Sequence, residues 1–188
     1  MGMLENWKGA LTEPRDTFAS EKKKATLSGA LMHIAVPSVI IGLLVGAVFA
    51  FVGSLLSFIP GAGWLGALGI AAIIIMPIAF LAGFAVFQAV YVGIMHLVAG
   101  ALGGKGGFTQ LYYLNAMIFA PVFIISALLG IIPLLGALLS VLLWIYSLYL
   151  TVLAVKEVHS LGTEKAVLVW LSPAIILIVL QVLFGRWL

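Results

Sequence analysis

The sequence has very little charge. Only 8% of its 188 residues are Asp, Glu, Lys or Arg, whereas a soluble globular protein has about 25%. The few charges are also clustered, since residues 25–104 and residues 106–155 contain none. About 20 apolar residues cross the hydrocarbon layer of a bilayer as a helix. The composition, 64% apolar, therefore excludes a water-soluble fold and predicts packed transmembrane helices joined by short turns.

Cysteine and buried acids are also missing. The chain has no cysteine, which excludes disulfides, thiolate zinc sites and iron–sulfur clusters. No acidic residue lies inside a predicted span; the six acids are Glu5, Glu13, Asp16, Glu21, Glu157 and Glu164. Proton-coupled carriers and carboxylate metalloenzymes usually need an acid at membrane depth. We therefore expect no carboxylate-driven mechanism and no cofactor.

The glycine-rich loop at residues 103–107 resembles a phosphate-binding loop only superficially. Ala99 stands where a Walker motif begins, and Gly106 replaces the Ser or Thr that binds magnesium. No hydrolase motif is present either, so we expect a protein that is not an enzyme. The net charge of +3 does not indicate nucleic acid, because the basic residues sit beside membrane segments, as the positive-inside rule predicts.

The apolar runs and turn residues predict five spans. The predicted fold is an all-α integral membrane protein, with a short amphipathic N-terminal arm over residues 1–26 and a five-helix transmembrane domain over residues 27–188. The spans cover about residues 27–58, 64–102, 109–131, 134–155 and 166–185.

The second run is long for one crossing, and a break at Pro77 would give six spans instead. Five spans place eight of the nine Lys and Arg residues on one side, whereas a split at Pro77 leaves six there. The positive-inside rule therefore favours five, with a cytoplasmic N-terminus and an external C-terminus. Arg186 and Trp187 would anchor that outer end.

The N-terminal arm predicts two short amphipathic helices in the headgroup region. Leu4, Trp7, Leu11 and Phe18 share one helical face, and Pro14 begins a second helix. Such an arm contacts anionic lipid or, alternatively, docks a cytoplasmic partner. The candidate lipid or partner contacts, including those of the glycine-rich loop, are Trp7, Phe18, Lys22, Lys23, Lys24, Lys105 and Phe108.

Polar side chains near the cytoplasmic ends of the spans predict a polar layer. At about 1.5 Å per helical residue, His96 and Asn115 fall at one level, roughly 9 Å below the boundary at the glycine-rich loop. The predicted layer consists of His33, His96, Tyr112, Asn115 and His159. It would line a shallow cavity for a lipid headgroup or a small polar ligand. The alternative is that these groups only hydrogen-bond neighbouring helices. The histidines have no metal-ligand spacing in sequence, although folding could bring them together, and we expect no metal site.

Small residues and prolines indicate how the spans pack. Gly42, Gly46 and Gly53 form a small-residue stripe, which is typical of closely packed helices within one chain or between protomers. Prolines recur at a similar depth in three spans, as they do in the broken helices of transporters, although proline is also common in membrane helices for packing reasons. This pattern keeps a transporter function open.

The order of these elements resembles the Yip domain family, the Ypt/Rab-interacting membrane proteins and their prokaryotic relatives. The residues that carry the resemblance are Pro14, Phe18, Gly103 to Phe108, Leu111-Tyr112, Ala120-Pro121, Ile132-Pro133, Gly136, Trp144, Tyr149, His159 and Lys165-Ala166. The resemblance implies a five-span bundle with a cytoplasmic N-terminus. Eukaryotic members are associated with Rab GTPases through a longer N-terminal region, so the short arm resembles that of a prokaryotic member.

The sequence favours a non-enzymatic membrane-organising or adaptor protein acting at the cytoplasmic face. The alternative is a small permease or channel for an ion or polar solute, and a membrane enzyme using His33, His96 and His159 is the least favoured hypothesis. The expected partners are membrane lipids and a cytoplasmic or membrane protein, with a homo-oligomer left open and nucleic acid excluded. The expected location is a prokaryotic cell membrane.

Overall fold

The computed structural model describes residues 2–185, and the regular structure of that range is helical. Two short helices are followed by five long ones: α1 (Met3–Thr12), α2 (Pro14–Glu21), α3 (Leu27–Leu56), α4 (Trp64–Ala101), α5 (Phe108–Leu129), α6 (Leu135–His159) and α7 (Thr163–Phe184). Helices α3 to α7 are each long and apolar enough to cross a membrane. The predicted fold class, a bundle of five transmembrane helices after a short helical arm, is confirmed. The predicted anchor at Arg186 and Trp187 lies outside the described residues.

Local side-chain contacts determine where the helices begin and end. The Thr26 hydroxyl accepts a hydrogen bond from the Gly29 amide at 3.0 Å, which caps the start of α3. Helix α6 continues four residues beyond the predicted limit at residue 155, to His159. Ser160 then takes the left-handed conformation, with φ of 54°, which is a common way to end a helix. Lys156 and Glu157 therefore belong to α6 and not to a loop.

Helix α4 continues through Pro77 without interruption. Its 38 residues give a length of about 57 Å, which exceeds the roughly 30 Å hydrocarbon layer. The alternative topology with two spans separated at Pro77 is therefore wrong, because both halves belong to the same helix.

The small residues of α3 pack directly on α4. The nearest backbone to Gly42 is that of Pro77, and the nearest to Gly46 is that of Ala72 and Ile73. Because these glycines lack a side chain, the two helix backbones approach closely along an antiparallel hairpin. The predicted small-residue contact is thus formed within one chain.

The most buried helix is α5, which packs against α3, α4 and α6. Its residues 111–118 are all buried. Helix α7 closes the other side by packing against α4 and α6, while α1 lies on α5 and α2 lies on α6. We call the end of the bundle that carries α1, α2 and the loops 102–107 and 160–162 the arm side. The continuous core lies toward this end.

We expect Gly46→Ala to destabilise the α3–α4 hairpin. A β-carbon at this position would lie 2.7 Å from both the Ala72 carbonyl oxygen and the Ile73 α-carbon. These are backbone atoms, so the helices must move apart, at a cost of about 2 kcal/mol in the free energy of unfolding. Thermal denaturation in detergent, followed by size-exclusion chromatography, measures the loss.

Gly93→Ala is the matched control. Within the part of the chain that the structure describes, a β-carbon at Gly93 meets no neighbouring atom within 4 Å, and alanine favours the helix by up to about 1 kcal/mol. Its stability should be equal to or above that of the unaltered protein. Equal destabilisation by both substitutions would contradict the close contact at Gly46.

Candidate functional site: a buried polar network beneath the arm

The N-terminal arm is folded onto the bundle. Phe18 is completely buried and Trp7 is 7% exposed. The Tyr146 hydroxyl of α6 donates a hydrogen bond to the Leu11 carbonyl at 2.7 Å. The ammonium group of Lys22 lies 2.7 Å from the Glu157 carboxylate, also on α6. Apolar burial and polar contacts together hold the arm against the transmembrane helices.

A buried carboxylate lies at the centre of this contact. Glu21 is 2% exposed. Its Oε2 atom accepts hydrogen bonds from Asn6 Nδ2 at 2.9 Å and from the Tyr113 hydroxyl at 3.0 Å. Its Oε1 atom lies 2.8 Å from Lys24 Nζ. Burial of an unpaired charge is costly, and these three donors from α1, α5 and the turn after α2 compensate it.

A second hydrogen bond joins the arm to α3. The indole Nε1 of Trp7 donates to Nδ1 of His33 at 2.8 Å, and the His33 ring meets Tyr113 edge-on with ring centroids 5.2 Å apart. Because an indole can only donate, Nδ1 of His33 carries no proton in this arrangement. We call Asn6, Trp7, Glu21, Lys24, His33 and Tyr113 the arm network.

The hydrogen bonds of the arm network keep Glu21 ionised. Burial raises the pKa of this carboxyl, but the hydrogen bonds from Lys24 and Tyr113 outweigh burial and hold the pKa below its ordinary value of 4.5. Glu21 is therefore a charged acceptor at neutral pH. Its interaction with Asn6 and Tyr113 has the strength of a charge-assisted hydrogen bond.

Two histidines form a separate cluster below the glycine-rich loop. The rings of His96 and His159 are 5.3 Å apart, and Phe108 lies 6.1 Å from His96. His159 is 1% exposed, and its Cβ and Nδ1 atoms lie against Gly104. A side chain at Gly104 would collide with His159, which explains glycine at this position of the loop.

The histidine cluster has few of the features of a metal site. Among residues 2–185, neither ring nitrogen of His159 has a hydrogen-bond partner, and the same holds for Nδ1 of His96. The same range contains no group of three or more metal-ligating side chains, whereas zinc sites use three or four protein ligands. The two imidazole rings, with Phe108 beside His96, are best described as an aromatic cluster.

The structure distributes the predicted polar layer over three places. His33 belongs to the arm network. His96 and His159 lie together, with Tyr112 stacked on Phe108 next to them. Asn115 lies deeper and lines a cavity that also contains Gln88. The histidines therefore do not converge on one point.

The predicted contact residues occupy different environments. Trp7 and Phe18 are buried on the side of the arm that faces the bundle, and Phe108 is half-buried beside His96. Lys22 and Lys24 are paired with acids, whereas Lys23 and Lys105 are exposed.

Sequence reasoning missed four residues of the arm contact: Asn6, Glu21, Tyr146 and Glu157. A signal for one of them was present, because Glu21 follows Phe18 by three residues and therefore shares its helical face.

These features define a multi-pass α-helical membrane protein with a structured arm on one end of its bundle. The Yip1 domain family model matches residues 8–184, nearly the whole chain. The chain therefore belongs to the Yip1 domain family, which confirms the resemblance seen in the sequence. A search of curated proteins and a search of solved structures each find no significant match.

We expect Glu21→Gln to loosen the arm from the bundle. The substitution keeps the shape of the side chain but removes the charge that accepts hydrogen bonds from Asn6 and Tyr113, at a cost of about 2 kcal/mol. That cost corresponds to roughly 30-fold more frequent opening. Hydrogen–deuterium exchange of the α1 backbone amides should accelerate by this factor.

Two controls connect this effect to the Glu21 charge. Glu13→Gln alters an exposed acid of the same arm and should leave the exchange of α1 unchanged.

The pH dependence is the second control. In the unaltered protein, the contribution of Glu21 to the stability of the closed arm should be complete above about pH 4.5. This contribution should decrease as the pH falls through the lower pKa that Glu21 has in the folded protein. Glu21→Gln should lack this acid-dependent component. The same acid dependence in both proteins would exclude Glu21 as its source.

Proposed function

We propose that this Yip1 family protein is a non-enzymatic adaptor that organises other proteins at the cytoplasmic face of a membrane. The observation that carries the proposal is the arm network. It attaches α1 and α2 to α3 and α5, so the opposite face of the arm is presented at a fixed position above the bundle. A rigid surface of this kind reduces the entropy cost of binding a partner.

The outward face of the arm supports a protein as the partner. It carries charges of both signs, and its exposed charged residues are Glu5, Lys8, Glu13, Arg15, Asp16 and Lys23. A patch that binds anionic lipid is typically a cluster of basic residues, whereas interspersed charges give register and specificity with a complementary protein surface. A protein partner also agrees with the association of eukaryotic members of the family with Rab GTPases.

The distribution of basic residues supports a cytoplasmic arm side. Within residues 2–185, all eight Lys and Arg residues lie in the arm, in the loop 102–107 or at the adjoining ends of α6 and α7. Basic residues near short loops are enriched on the cytoplasmic side of membrane proteins. The turn between α3 and α4 then faces outward.

Single-cysteine labelling tests this orientation. Because the chain has no cysteine, one introduced thiol is the only target for a membrane-impermeant maleimide. We expect Gly63→Cys, in the exposed α3–α4 turn, to react in intact cells. Glu13→Cys, in the arm, should react only after permeabilisation. The reverse pattern would place the arm outside and contradict an action at the cytoplasmic face.

Site-specific photocrosslinking in native membranes tests the adaptor function. A benzophenone amino acid in place of Arg15, on the outward face of the arm, should give one discrete protein adduct, identified by mass spectrometry. The same probe at Gly63 should not give it. The purified partner should then bind the unaltered protein, and in Glu21→Gln its apparent Kd should rise by the inverse of the fraction of molecules whose arm is closed.

Flux measurements in reconstituted liposomes test the permease alternative. For an adaptor, ion and solute flux should stay at the level of protein-free liposomes. Robust flux would support the permease alternative and contradict the proposal.

A double charge reversal, Arg15→Glu/Asp16→Lys, tests the docking surface. If the purified partner binds this variant and the unaltered protein with equal affinity, the outward face of the arm is excluded as the docking surface.

A further inference from the structure

A cavity inside the transmembrane bundle suggests a second binding site, and none of its lining residues belongs to the arm network. It has a volume of about 310 Å³ and lies between α4, α5 and α6. Polar atoms are contributed by Gln88, Asn115 and Thr151, and aromatic walls by Phe87, Phe119 and Trp144. A few polar groups in a mostly apolar cavity of this size are typical of a small-molecule site.

Gln88 is the informative residue of this cavity. Its side chain is 2% exposed, and within residues 2–185 neither its amide oxygen nor its amide nitrogen has a hydrogen-bond partner. Buried polar groups are nearly always paired. A single group that satisfies both atoms donates to Oε1 and accepts from Nε2, and a hydroxyl group does both.

The charge of the cavity lining restricts the ligand further. None of the lining residues is Asp, Glu, Lys, Arg or His. An ionised headgroup would therefore be buried without an opposite charge, which is strongly unfavourable. The polar group that enters the cavity is accordingly uncharged.

The route into the cavity comes from the bilayer. Phe87 on α4 is 65% exposed and Trp144 on α6 is 59% exposed. Both are part of transmembrane helices, so their exposed faces contact lipid. They also line the cavity, which therefore opens sideways between α4 and α6, and a ligand dissolved in the bilayer reaches it without crossing water.

We propose that this cavity binds an uncharged membrane lipid that carries a free hydroxyl group, of the diacylglycerol class. The hydroxyl hydrogen-bonds to the amide of Gln88, and the adjoining part of the lipid packs against Phe119. The volume accommodates only the hydroxyl-bearing end, so the acyl chains leave between Phe87 and Trp144 into the bilayer. The site does not depend on the adaptor function, since no residue of the arm network lines it.

Photolabelling in nanodiscs tests the site. The full-length protein in phosphatidylcholine nanodiscs receives a diacylglycerol that carries a diazirine and an alkyne on one acyl chain. We expect saturable labelling of α4, α5 or α6 near the cavity, as mapped by mass spectrometry, with competition by unlabelled diacylglycerol. Gln88→Leu should reduce this labelling at least fivefold. Its thermal stability should be equal or higher, because the substitution removes unpaired buried polar atoms.

Matched controls separate hydrogen bonding from general lipid contact. Gln181→Leu makes the same chemical change at an exposed position of α7 outside the cavity lining and should leave labelling unchanged. A phosphatidic acid probe with the same acyl chains should label the cavity no more than a phosphatidylcholine probe does. Equal labelling of Gln88→Leu and the unaltered protein, or preferential labelling by phosphatidic acid, would overturn the proposal. Glu21→Gln should keep full labelling, so failure of the adaptor function would leave this result intact.

Discussion

The buried negative charge of Glu21 requires hydrogen-bond donors around it, and the arrangement of the arm side follows from that requirement. An ionised acid next to a membrane bundle is stable only if donors surround it. Asn6 and Tyr113 supply two of those donors from different helices, so the carboxylate brings α1, α2 and α5 together. Trp7 and His33 then connect the same arm to α3. One buried charge thereby makes the position of the arm depend on the position of the transmembrane helices.

The transmembrane helices are held by a different kind of contact. Lipid tails are as apolar as the side chains of the bundle, so burial of apolar surface provides little drive for helix association within the membrane. Close backbone packing at Gly42 and Gly46 supplies van der Waals contact between α3 and α4. Helix α5 lies at the centre, and its residues 111–118 are all buried. The protein therefore combines a tightly packed arm side with long lipid-facing helices.

The sequence predicted the fold well and the candidate site only in part. Hydrophobic runs of transmembrane length and the clustering of charge determine the number of spans, and the glycine spacing predicts the contact between α3 and α4. The partners of His33 and His96 could not be predicted, because helix rotation and tilt decide which side chains meet. The depth of a residue along a helix does not show in which direction around the helix axis its side chain points. The prediction therefore groups His33 with His96, whereas in the structure His33 accepts a hydrogen bond from Trp7.

The position of each proposed site along the transmembrane helices explains why the two sites have different chemistry. The arm network lies at the end of the bundle, where Lys24 reaches Glu21 from an exposed position, so ionised groups are available for recognition. The cavity at Gln88 lies within the spans. Gln88 itself belongs to the stretch from residue 25 to residue 104, which contains no Asp, Glu, Lys or Arg. Recognition at that depth can use only neutral hydrogen bonds and aromatic contact. A protein partner at the arm and an uncharged lipid in the bundle are therefore compatible with one chain.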